Sequence, residues 1–406
     1  MKLYDTIVIG AGAAGLFYGA LSEPGADSLI IDHSERPGLK LLLSGSGQCN
    51  ITHDGSIKDF ISRYGQNGRY IRSALYSANS LSLIEFLNKN GIKTITREDG
   101  KIFPESLKAS EILNMLIKKS EANGFPLLLK QNITDIRCDD SDGTYTVSTE
   151  NSSFKAKKLV IATGGMSYPK TGSDGSLYPL IEKLGIQMTP ARPALVPIYT
   201  HNYGYKSLSG ISFKAVSVRL LENNREVAAA TGDILLTHRA FSGPAILDIS
   251  RYAAQGYELE INYIYPITGQ KAADMIKAGF QGNSRELHTY ISRTFKIPDA
   301  FAVKLIEDAG ICPYMKTSCT EGDEIAKIAE ALTCHRYAVS GTGSFGEAMV
   351  TAGGVSLDEV NLRNMESKKH SNLFFIGEVL DIDGDTGGFN LQFTYSSAMA
   401  AVKNKK

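Results

Sequence analysis

Short runs of apolar residues, bounded by glycine or polar residues, mark the first part of the chain. LYDTIVIG (3–10) and SLIIDHS (28–34) each predict a buried strand, and AAGLFYGALSE (13–23) between them predicts a helix that stops before Pro24. Strand, glycine turn, helix and strand together have about the length of one βαβ unit. KLVIATGG (158–165) predicts another buried strand that runs into glycines.

The middle of the chain has a different pattern, which indicates an insertion. Two helical stretches flank the hairpin-like REDGKIFPES (97–106) and continue the first domain. After the proline-rich TPARPALVPI (189–198), apolar and polar residues alternate as in an antiparallel sheet, and the spacing later becomes helical. Strands and glycines return near the end. We therefore predict an α/β domain at 1–190 and 340–406, interrupted by a β-rich module at 191–269 and a helical module at 270–339.

The amino-acid composition limits which binding partners and which cellular compartment we expect for this protein. The 406 residues include 43 basic and 43 acidic side chains, so the formal net charge is zero. With this balance, and with no basic patch that interleaves aromatic residues, we predict neither a nucleic-acid partner nor a membrane partner. No apolar run has the length of a membrane span, and the early first strand leaves no room for a secretion signal. Five cysteines without CxxC spacing predict no disulfide framework and no metal site, and they fit a cytoplasmic protein.

The turn after the first strand carries the glycine-rich segment GAGAAG (10–15). Gly10, Gly12 and Gly15 match the dinucleotide-binding fingerprint, with the required strand before it and helix after it. The first glycine permits the turn, the second lets the backbone approach a pyrophosphate, and the third lets the helix pack on the strand. Asp32 ends the second strand, where a carboxylate accepts hydrogen bonds from ribose hydroxyls. The motif predicts a Rossmann-like domain and leaves NAD and FAD as alternatives.

Two further segments are expected to contact the nucleotide. In ERPGLKLLLSGSGQCNIT (35–52), small and polar residues surround two glycines, which predicts an extended backbone against a planar ligand. Lys40 in this segment is a candidate for a phosphate contact. The glycines at the end of VIATGG (160–165) are expected to close over the adenosine side, because this strand should lie beside the first strand.

The segment GEVLDIDGDTGGFNLQF (377–393) combines four glycines with four acidic residues. Its aspartates have the spacing of a calcium loop, but Thr386 and Gln392 stand where that loop needs glycine and glutamate. We therefore predict no calcium site.

The two glycines before Phe389 predict the start of a second helix, whose N–H groups form an electropositive terminus. NAD has one group that needs such a terminus, whereas FAD has two, the diphosphate and the N1–C2=O edge of the flavin. The acidic side chains would repel phosphate but can accept hydrogen bonds from the ribityl hydroxyls. We therefore predict FAD as the cofactor.

Taken together, these segments resemble a family of bacterial FAD flavoproteins related to fumarate-reductase-type subunits. The family contains NAD(P)/FAD-dependent oxidoreductases, among them aminoacetone-oxidase-like proteins and BaiN-like bile-acid enone reductases. The resemblance covers essentially the whole chain, and it is carried by GAGAAG, GLKLLLSGSGQCNIT, ATGGMSYPKTGSDG, GDILLTHRAFSGPAILDIS, VTAGGVSLDEV and GEVLDIDGDTGGFNLQFTYSSAMAA.

The resemblance implies an FAD-binding domain split around a β-rich and a helical module. It also implies that Glu378 serves the ribityl chain and that the backbone of Asn390 and Leu391 approaches the pyrimidine edge. The family usually has arginine before the Cys-Asn pair, where this chain has Gln48. The cofactor-binding residues predicted from the motifs and the resemblance are Gly10, Gly12, Ala13, Ala14, Gly15, Asp32, His33, Lys40, Ser44, Gly45, Gln48, Cys49, Asn50, Thr163, Gly164, Gly377, Glu378, Asp381, Gly388, Phe389, Asn390 and Leu391.

We expect an oxidoreductase that uses NAD(P)H to reduce a conjugated C=C bond in a small, enone-type substrate, steroid- or bile-acid-like among others. The alternatives are an FAD oxidase of a small amine such as aminoacetone, and a flavin-binding module without turnover. No second GxGxxG occurs, so NAD(P)H would bind without a Rossmann domain of its own. Tyr168, His238 and Arg239 are candidates near the substrate, but ordinary structural roles explain them as well, and no catalytic residue is assigned.

Overall fold

The computed structural model describes residues 2–139, 141–280 and 284–403. The chain divides into two compact units, one made of Met1–Ala194 and Phe345–Lys406 and the other of Leu195–Ser344. Both units mix helices and strands, which confirms the α/β class. No helix in the described part is long and apolar enough to cross a membrane. The separation of the insertion into a β-rich and a helical module stays a prediction.

The first unit contains the segments that carry the glycine motifs. Its described helices are α1 (Ala13–Leu21), α2 (Leu39–Leu43), α3 (Ile57–Ser62), α4 (Arg72–Ser77), α5 (Ser80–Lys89), α6 (Ala109–Ala122), α7 (Tyr178–Lys183) and α13 (Phe389–Val402). Its described strands are β1 (Leu3–Ile9), β2 (Ser28–Ile31), β3 (Thr52–His53), β4 (Thr94–Thr96), β5 (Lys101–Pro104), β6 (Leu127–Leu128), β7 (Ile133–Cys138), β8 (Tyr145–Thr149), β9 (Ser153–Ile161), β10 (Met188–Ala194), β17 (Val350–Val355), β18 (Val360–Asn361), β19 (Glu366–Ser367) and β20 (Leu373–Phe375).

A sheet with a parallel centre forms the middle of this unit. Five strands run parallel in the order β20-β9-β1-β2-β6, and Ile9 at the end of β1 pairs with Ile31 on β2 and with Ile161 on β9. Ile7, Val8 and Ile9 are almost fully buried, as expected for strands covered on both faces. The predicted βαβ unit is therefore confirmed, and the strand of the VIATGG segment lies beside the first strand as predicted.

Helix α1 packs against α13, so the two ends of the chain meet in this unit. Phe17 on α1 and Tyr395 on α13 contact each other edge to face with ring centroids 5.6 Å apart. On another side of α1, Ser120 of α6 donates a hydrogen bond to the Leu16 carbonyl at 3.0 Å. These contacts position both helices relative to the carboxyl ends of the parallel strands, where ligands bind in open α/β sheets.

The second unit is built around a closed barrel of six strands in the order β11-β14-β13-β12-β15-β16. The last strand of the barrel, β16 (His335–Thr342), follows helices α9 to α12 in the chain. The barrel is therefore completed by strands from both sides of these helices. Its described strands are β11 (Ile198–Thr200), β12 (Ser212–Glu222), β13 (Arg225–Leu236), β14 (Phe241–Ser242), β15 (Glu258–Asn262) and β16 (His335–Thr342). Its described helices are α8 (Pro244–Ile249), α9 (Gly269–Phe280), α10 (Leu287–Phe295), α11 (Asp299–Asp308) and α12 (Gly322–Thr333).

A buried carboxylate joins three neighbouring strands of this barrel. Glu260 on β15 is 7% exposed and accepts hydrogen bonds from Arg219 on β12 at 2.7 Å and from Arg336 on β16 at 3.0 Å. Arg219 also lies 3.7 Å from Glu226, whose side chain is half exposed. The Arg219 guanidinium group therefore has a buried carboxylate partner, Glu260, and a more exposed one, Glu226.

We expect Glu260→Ala to lower the free energy of unfolding by about 1–3 kcal/mol, because it leaves two arginines without their shared buried acceptor. Glu226→Ala is the matched control and should change the same quantity by less than about 1 kcal/mol, since exposed ion pairs contribute little. Urea unfolding of both variants followed by circular dichroism measures the difference. Equal effects of the two substitutions would contradict the prediction.

Candidate functional site

Helix α1 presents its N-terminus directly after β1. Leu16 is the first residue that donates back to Gly12, at 3.0 Å, so the N–H groups of the first turn have no partner inside the helix. A Cβ built on Gly12 meets no atom within 4 Å, whereas one built on Gly15 lies 2.0 Å from the Gly10 carbonyl oxygen. Gly12 therefore faces open space where the fingerprint requires a pyrophosphate, and Gly15 is required for packing.

Asp32 stabilises the glycine turn as well as ending β2. Its Oδ2 accepts a hydrogen bond from the Ala11 N–H at 2.6 Å, and its Oδ1 accepts from the Ser34 N–H at 2.7 Å. Each carboxylate oxygen has a second acceptor position, so these bonds are compatible with a ribose contact. His33 next to it is exposed. The ribose contacts of Asp32 and His33 stay predictions.

The end of β9 carries buried hydroxyl groups without protein partners. The Oγ1 of Thr163 and the Oγ of Ser173 are buried and form no hydrogen bond within the described part of the chain. Gly164 between them has φ +73°, and a Cβ on it would lie 2.9 Å from the Ser173 Oγ. Buried hydroxyls are normally hydrogen-bonded, so this edge fits a polar ligand such as the adenosine part of FAD.

The C-terminal segment meets the glycine turn from the other end of the chain. Gly377 has φ +72°, and a Cβ on it would lie 2.7 Å from the Cβ of Ala14 on α1. Downstream, Gly388 has φ +94° and lies against the backbone of Thr52. When the Asn50 amide is oriented to satisfy its neighbours, its oxygen accepts from the Gly388 N–H at 3.1 Å. The structure therefore brings three of the predicted glycine segments into one place.

Helix α13 begins at Phe389, directly after the two glycines, as the sequence predicted. Phe389 is buried, and its carbonyl oxygen accepts a hydrogen bond from the Tyr64 hydroxyl at 2.7 Å. Asn390 uses both atoms of its side-chain amide to hold the N–H and the carbonyl of Gly384, each at 2.8 Å. Leu391 is partly buried. Side chains thus fix the turn, and the first-turn N–H groups of α13 are a second terminus of the kind that the flavin edge requires.

An ion pair ties helix α2 to the C-terminal segment. The Lys40 Nζ lies 2.9 and 2.6 Å from the two carboxylate oxygens of Glu378 and also contacts Ser167. Oε1 of Glu378 accepts further hydrogen bonds from the Ser167 hydroxyl and the Thr351 N–H, both at 2.8 Å. Lys40 thus has a carboxylate partner in the protein, and its phosphate contact stays a prediction. Sequence reasoning assigned no part to Ser167 or Thr351, although they lie in the segments ATGGMSYPKTGSDG and VTAGGVSLDEV that carry the family resemblance.

Asp381 is held by the neighbouring strand. Its Oδ1 accepts a hydrogen bond from the Gly353 N–H at 2.9 Å, and its own N–H donates to the Val355 carbonyl at 3.0 Å. The carboxylate is therefore fixed in orientation beside Glu378. Contacts of either side chain with the ribityl chain stay predictions.

The prediction of an extended backbone around Ser44 to Gln48 is wrong. Helix α2 ends at Leu43, and Ser44–Gly47 forms a 3₁₀ turn in which Gly45 and Ser46 have φ of 55° and 56°. Local hydrogen bonds explain this, because the Gln48 N–H donates to Gly45 and the Cys49 N–H to Ser44. Glycine accepts the left-handed conformation without strain, so the same residues that suit an extended strand also suit a tight turn.

Cys49 follows this turn and is completely buried. Burial raises the pKa of its thiol to about 12, while a hydrogen bond with Ser44 acts in the opposite direction. The thiol therefore stays protonated at neutral pH, and a packing role explains it.

Gln48 stands where the resembling family usually has arginine, and the structure supplies a guanidinium group there from another element. Arg97, in the turn between β4 and β5, donates to the Gln48 Oε1 at 2.6 Å. Its guanidinium carbon also lies 3.9 Å from the centre of the Phe103 ring. A positive charge therefore lies beside Gln48, contributed by Arg97 from 49 positions further along the chain.

The candidates considered for proton transfer lie in different units. Tyr168, in the first unit, has φ 51°, an uncommon value for a residue other than glycine, and burial raises the pKa of its phenol. It therefore keeps its proton at neutral pH. His238, in the second unit, is exposed, and the guanidinium of Arg239 lies 5.7 Å from the Tyr199 ring centre. The structure assigns a catalytic role to none of them.

A Rossmann-type domain with two helix N-termini and two buried hydroxyls without partners fits FAD, and the protein is an FAD-dependent oxidoreductase. The chain belongs to the HI0933-like protein family, because residues 4–404 match the description "HI0933-like protein Rossmann domain". This confirms the resemblance to FAD flavoproteins.

Curated relatives match the chain over nearly its whole length. A "Ribosomal RNA dihydrouridine synthase" of Escherichia coli (strain K12) is 31% identical over 408 residues, covering 100% of this chain and 98% of the relative. A "3-dehydro-bile acid delta(4,6)-reductase" of Clostridium scindens is 26% identical over 402 residues and covers 97% of both chains. Among solved structures, the 3-ketosteroid-delta4-(5alpha)-dehydrogenase of Rhodococcus jostii RHA1 shares the fold, with a TM-score of 0.52 and 14% identity over 99% of this chain and 97% of that chain.

We expect Gly12→Ala to reduce FAD affinity at least about tenfold while leaving the stability of the FAD-free protein within about 1 kcal/mol, because its Cβ meets only the space that the pyrophosphate needs. Gly15→Ala should instead destabilise the FAD-free protein by roughly 3 kcal/mol, because its Cβ overlaps the Gly10 carbonyl. Flavin absorbance per protein and thermal unfolding without FAD measure the two effects. A Gly12→Ala protein that retains FAD like the wild type would contradict the prediction.

We expect Arg97→Ala to lower turnover about tenfold at unchanged FAD content, because it removes the guanidinium group that lies beside Gln48, where the resembling family usually has arginine. Gln48→Arg in the Arg97→Ala background should restore turnover, since it returns the positive charge from the family's usual position. Arg137→Ala, which removes an exposed arginine paired with Asp135, is the matched control. Steady-state rates of the four proteins test this, and a failure of Gln48→Arg to rescue would argue against it.

Proposed function

We propose that this protein uses NAD(P)H to reduce a C=C bond that is conjugated to a carbonyl group. The names of both curated relatives describe this reaction class. Dihydrouridine differs from uridine by reduction of the C5=C6 bond, which is conjugated to the C4 carbonyl. The bile-acid reductase acts, by its name, on double bonds conjugated to a 3-oxo group. The two substrates differ in shape, but the bond that accepts the hydrogen is of the same kind.

The favoured substrate is a uridine of ribosomal RNA. The observation that carries this choice is the 31% identity to the ribosomal RNA dihydrouridine synthase, which extends over the whole of this chain. The expectation of a small-molecule substrate without nucleic acid depended on the lack of a basic patch with aromatic residues and on the net charge of zero. That number describes the average over the surface and places no limit on a local concentration of basic side chains.

The residues of the first unit would have defined parts in this reaction. When bound, FAD supplies the hydride chemistry of the reduction. The first turns of α1 and α13 would bind the diphosphate and the pyrimidine edge by their N–H groups, and the Lys40–Glu378 pair would keep the C-terminal segment in place. Overall, each reduced C=C bond takes one hydride from NAD(P)H and one proton. Tyr168, the neighbour in the chain of the Ser167 that contacts Glu378, carries a phenolic proton at neutral pH and is our candidate donor of that proton.

A bile-acid-like enone is the second candidate substrate, supported by the 26% identity to the bile-acid reductase. The amine oxidase and the flavin module without turnover are the remaining hypotheses. Neither is favoured by a described contact or by a relative reported above.

We expect NADPH or NADH to bleach the flavin absorbance under anaerobic conditions, and ribosomal RNA transcribed without modification to restore it. The RNA should then contain a nucleoside heavier than uridine by two hydrogen atoms, detected by mass spectrometry after digestion. A 3-oxo-Δ4 steroid, added in place of RNA, tests the enone as electron acceptor. Aminoacetone with oxygen tests the alternative of an amine oxidase. The proposal fails if the reduced flavin reacts with neither RNA nor enone, or if aminoacetone alone gives turnover with peroxide release.

A further inference from the structure

An open groove on the first unit has an unusual concentration of positive charge. It has a volume of about 1020 Å³ and lies between the segment that contains α4 and the segment before and after β18. Four basic residues line it, together with a single carboxylate, that of Asp358. We call this surface the basic groove, and its cations are Arg69, Arg72, Arg363 and Lys368.

The cations of the basic groove are available to a ligand. All four are exposed, and none of them forms an ion pair with a carboxylate in the part of the chain that the structure describes. Lys368 donates to the main-chain carbonyl of Asp358 at 2.8 Å, which holds its ammonium group at the groove. In a chain with 43 basic and 43 acidic residues, four cations facing one carboxylate is a local excess that suits a polyanion.

Two exposed tyrosines lie among these cations. Tyr70 is 41% exposed and Tyr76 is 48% exposed. The Arg69 guanidinium lies 4.7 Å from the ring centre of Tyr70 and donates to its hydroxyl at 2.8 Å. The Arg72 guanidinium lies 5.4 Å from the ring centre of Tyr76. Proteins that bind single-stranded nucleic acids stack the bases on aromatic rings and guanidinium groups, and they bind the phosphates with positive charges. The basic groove combines both kinds of group.

Helix α4 presents part of this surface in a fixed arrangement. Arg72 and Tyr76 are four residues apart, so they lie on the same exposed side of the helix. Ala74 and Leu75 are buried on the other side. The signal was present in the sequence as GRYIRSALY (68–76), so the statement that no basic patch with interleaved aromatic residues occurs is wrong.

The segment that enters the basic groove also contacts the predicted FAD loop. Asn67, two residues before Arg69, donates its side-chain N–H to the Asp381 carbonyl at 2.8 Å. The Asp385 N–H donates to the Arg63 carbonyl at 2.9 Å. A nucleic-acid strand bound in the basic groove would therefore lie next to residues 377–393, the segment that we expect to hold the flavin.

We propose that the basic groove binds single-stranded RNA beside the uridine that is reduced, an inference that rests on the proposed RNA substrate. The phosphates contact the four cations, and bases stack on Tyr70 and Tyr76. The acidic side chains of a peptide would match the charge but provide no ring that stacks on the tyrosines. A lipid surface would need exposed aliphatic side chains, and Leu357 and Val360 in the groove are buried. RNA satisfies both the charge and the aromatic faces.

Fluorescence anisotropy of a labelled, uridine-containing single-stranded RNA with the FAD-loaded full chain tests this across a range of salt concentrations. Arg72→Ala/Arg363→Ala should weaken binding at least about tenfold and reduce the slope of log affinity against log salt by about 1.4, which corresponds to two lost phosphate contacts. Tyr76→Ala should weaken binding about tenfold, whereas Tyr76→Phe, which keeps the ring, should bind like the wild type.

Arg225→Ala/Arg293→Ala removes the same charge from exposed positions of the second unit and should leave binding unchanged. FAD content and the rate of flavin bleaching by NAD(P)H, which should be unchanged in all variants, show that the variants are folded. RNA binding that is equal in wild type and groove variants overturns the proposal. So does groove-dependent binding of vesicles with anionic lipid in place of RNA. RNA binding that depends on the groove, without formation of dihydrouridine, would support the proposed RNA-binding site and reject the proposed reaction. Failure of the binding proposal and failure of the proposed function are therefore distinguishable.

Discussion

The close packing of the glycine turns against neighbouring segments is the constraint on which the first unit depends. At these contacts the residue in the turn has no room for a side chain of its own. Gly10 lies against the Ala162 carbonyl and Gly377 against Ala14, and in each case a Cβ would be within 2.7 Å of its neighbour. Both glycines also have positive φ, which other residues rarely adopt. Glycine is therefore required at both positions, for space and for conformation.

Side chains then hold these turns in position, so that backbone groups remain for the cofactor. Asp32 binds the N–H of the first glycine turn, Asn390 binds both backbone groups of Gly384, and Glu378 collects Lys40, Ser167 and a backbone N–H. Acidic residues that would repel a phosphate are in this way used mainly as acceptors for the protein itself. This placement is compatible with the predicted position of the carboxylate-rich segment beside FAD.

The parts predicted well from the sequence were those with local signals. The parallel βαβ unit and the start of α13 at Phe389 follow from apolar runs and from glycines next to them. The backbone around Gly45 was predicted wrongly, because glycine permits both an extended strand and a left-handed turn, and local hydrogen bonds decide between them. The basic groove was missed because charge was judged over the whole chain, while GRYIRSALY shows it only when read residue by residue.

By itself, the sequence determined the class of nucleotide fold, the FAD cofactor and the interruption of the domain, since each of these depends on the order of short patterns along the chain. Only the tertiary structure decided which side chains meet. Lys40 and Glu378 are 338 positions apart, and Arg97 reaches Gln48 from the hairpin of β4 and β5. The groove likewise joins Arg72 to Arg363. Contacts between residues so far apart in the chain depend on the tertiary fold. The spacing of apolar residues within one segment contains no information about which distant segment packs against it.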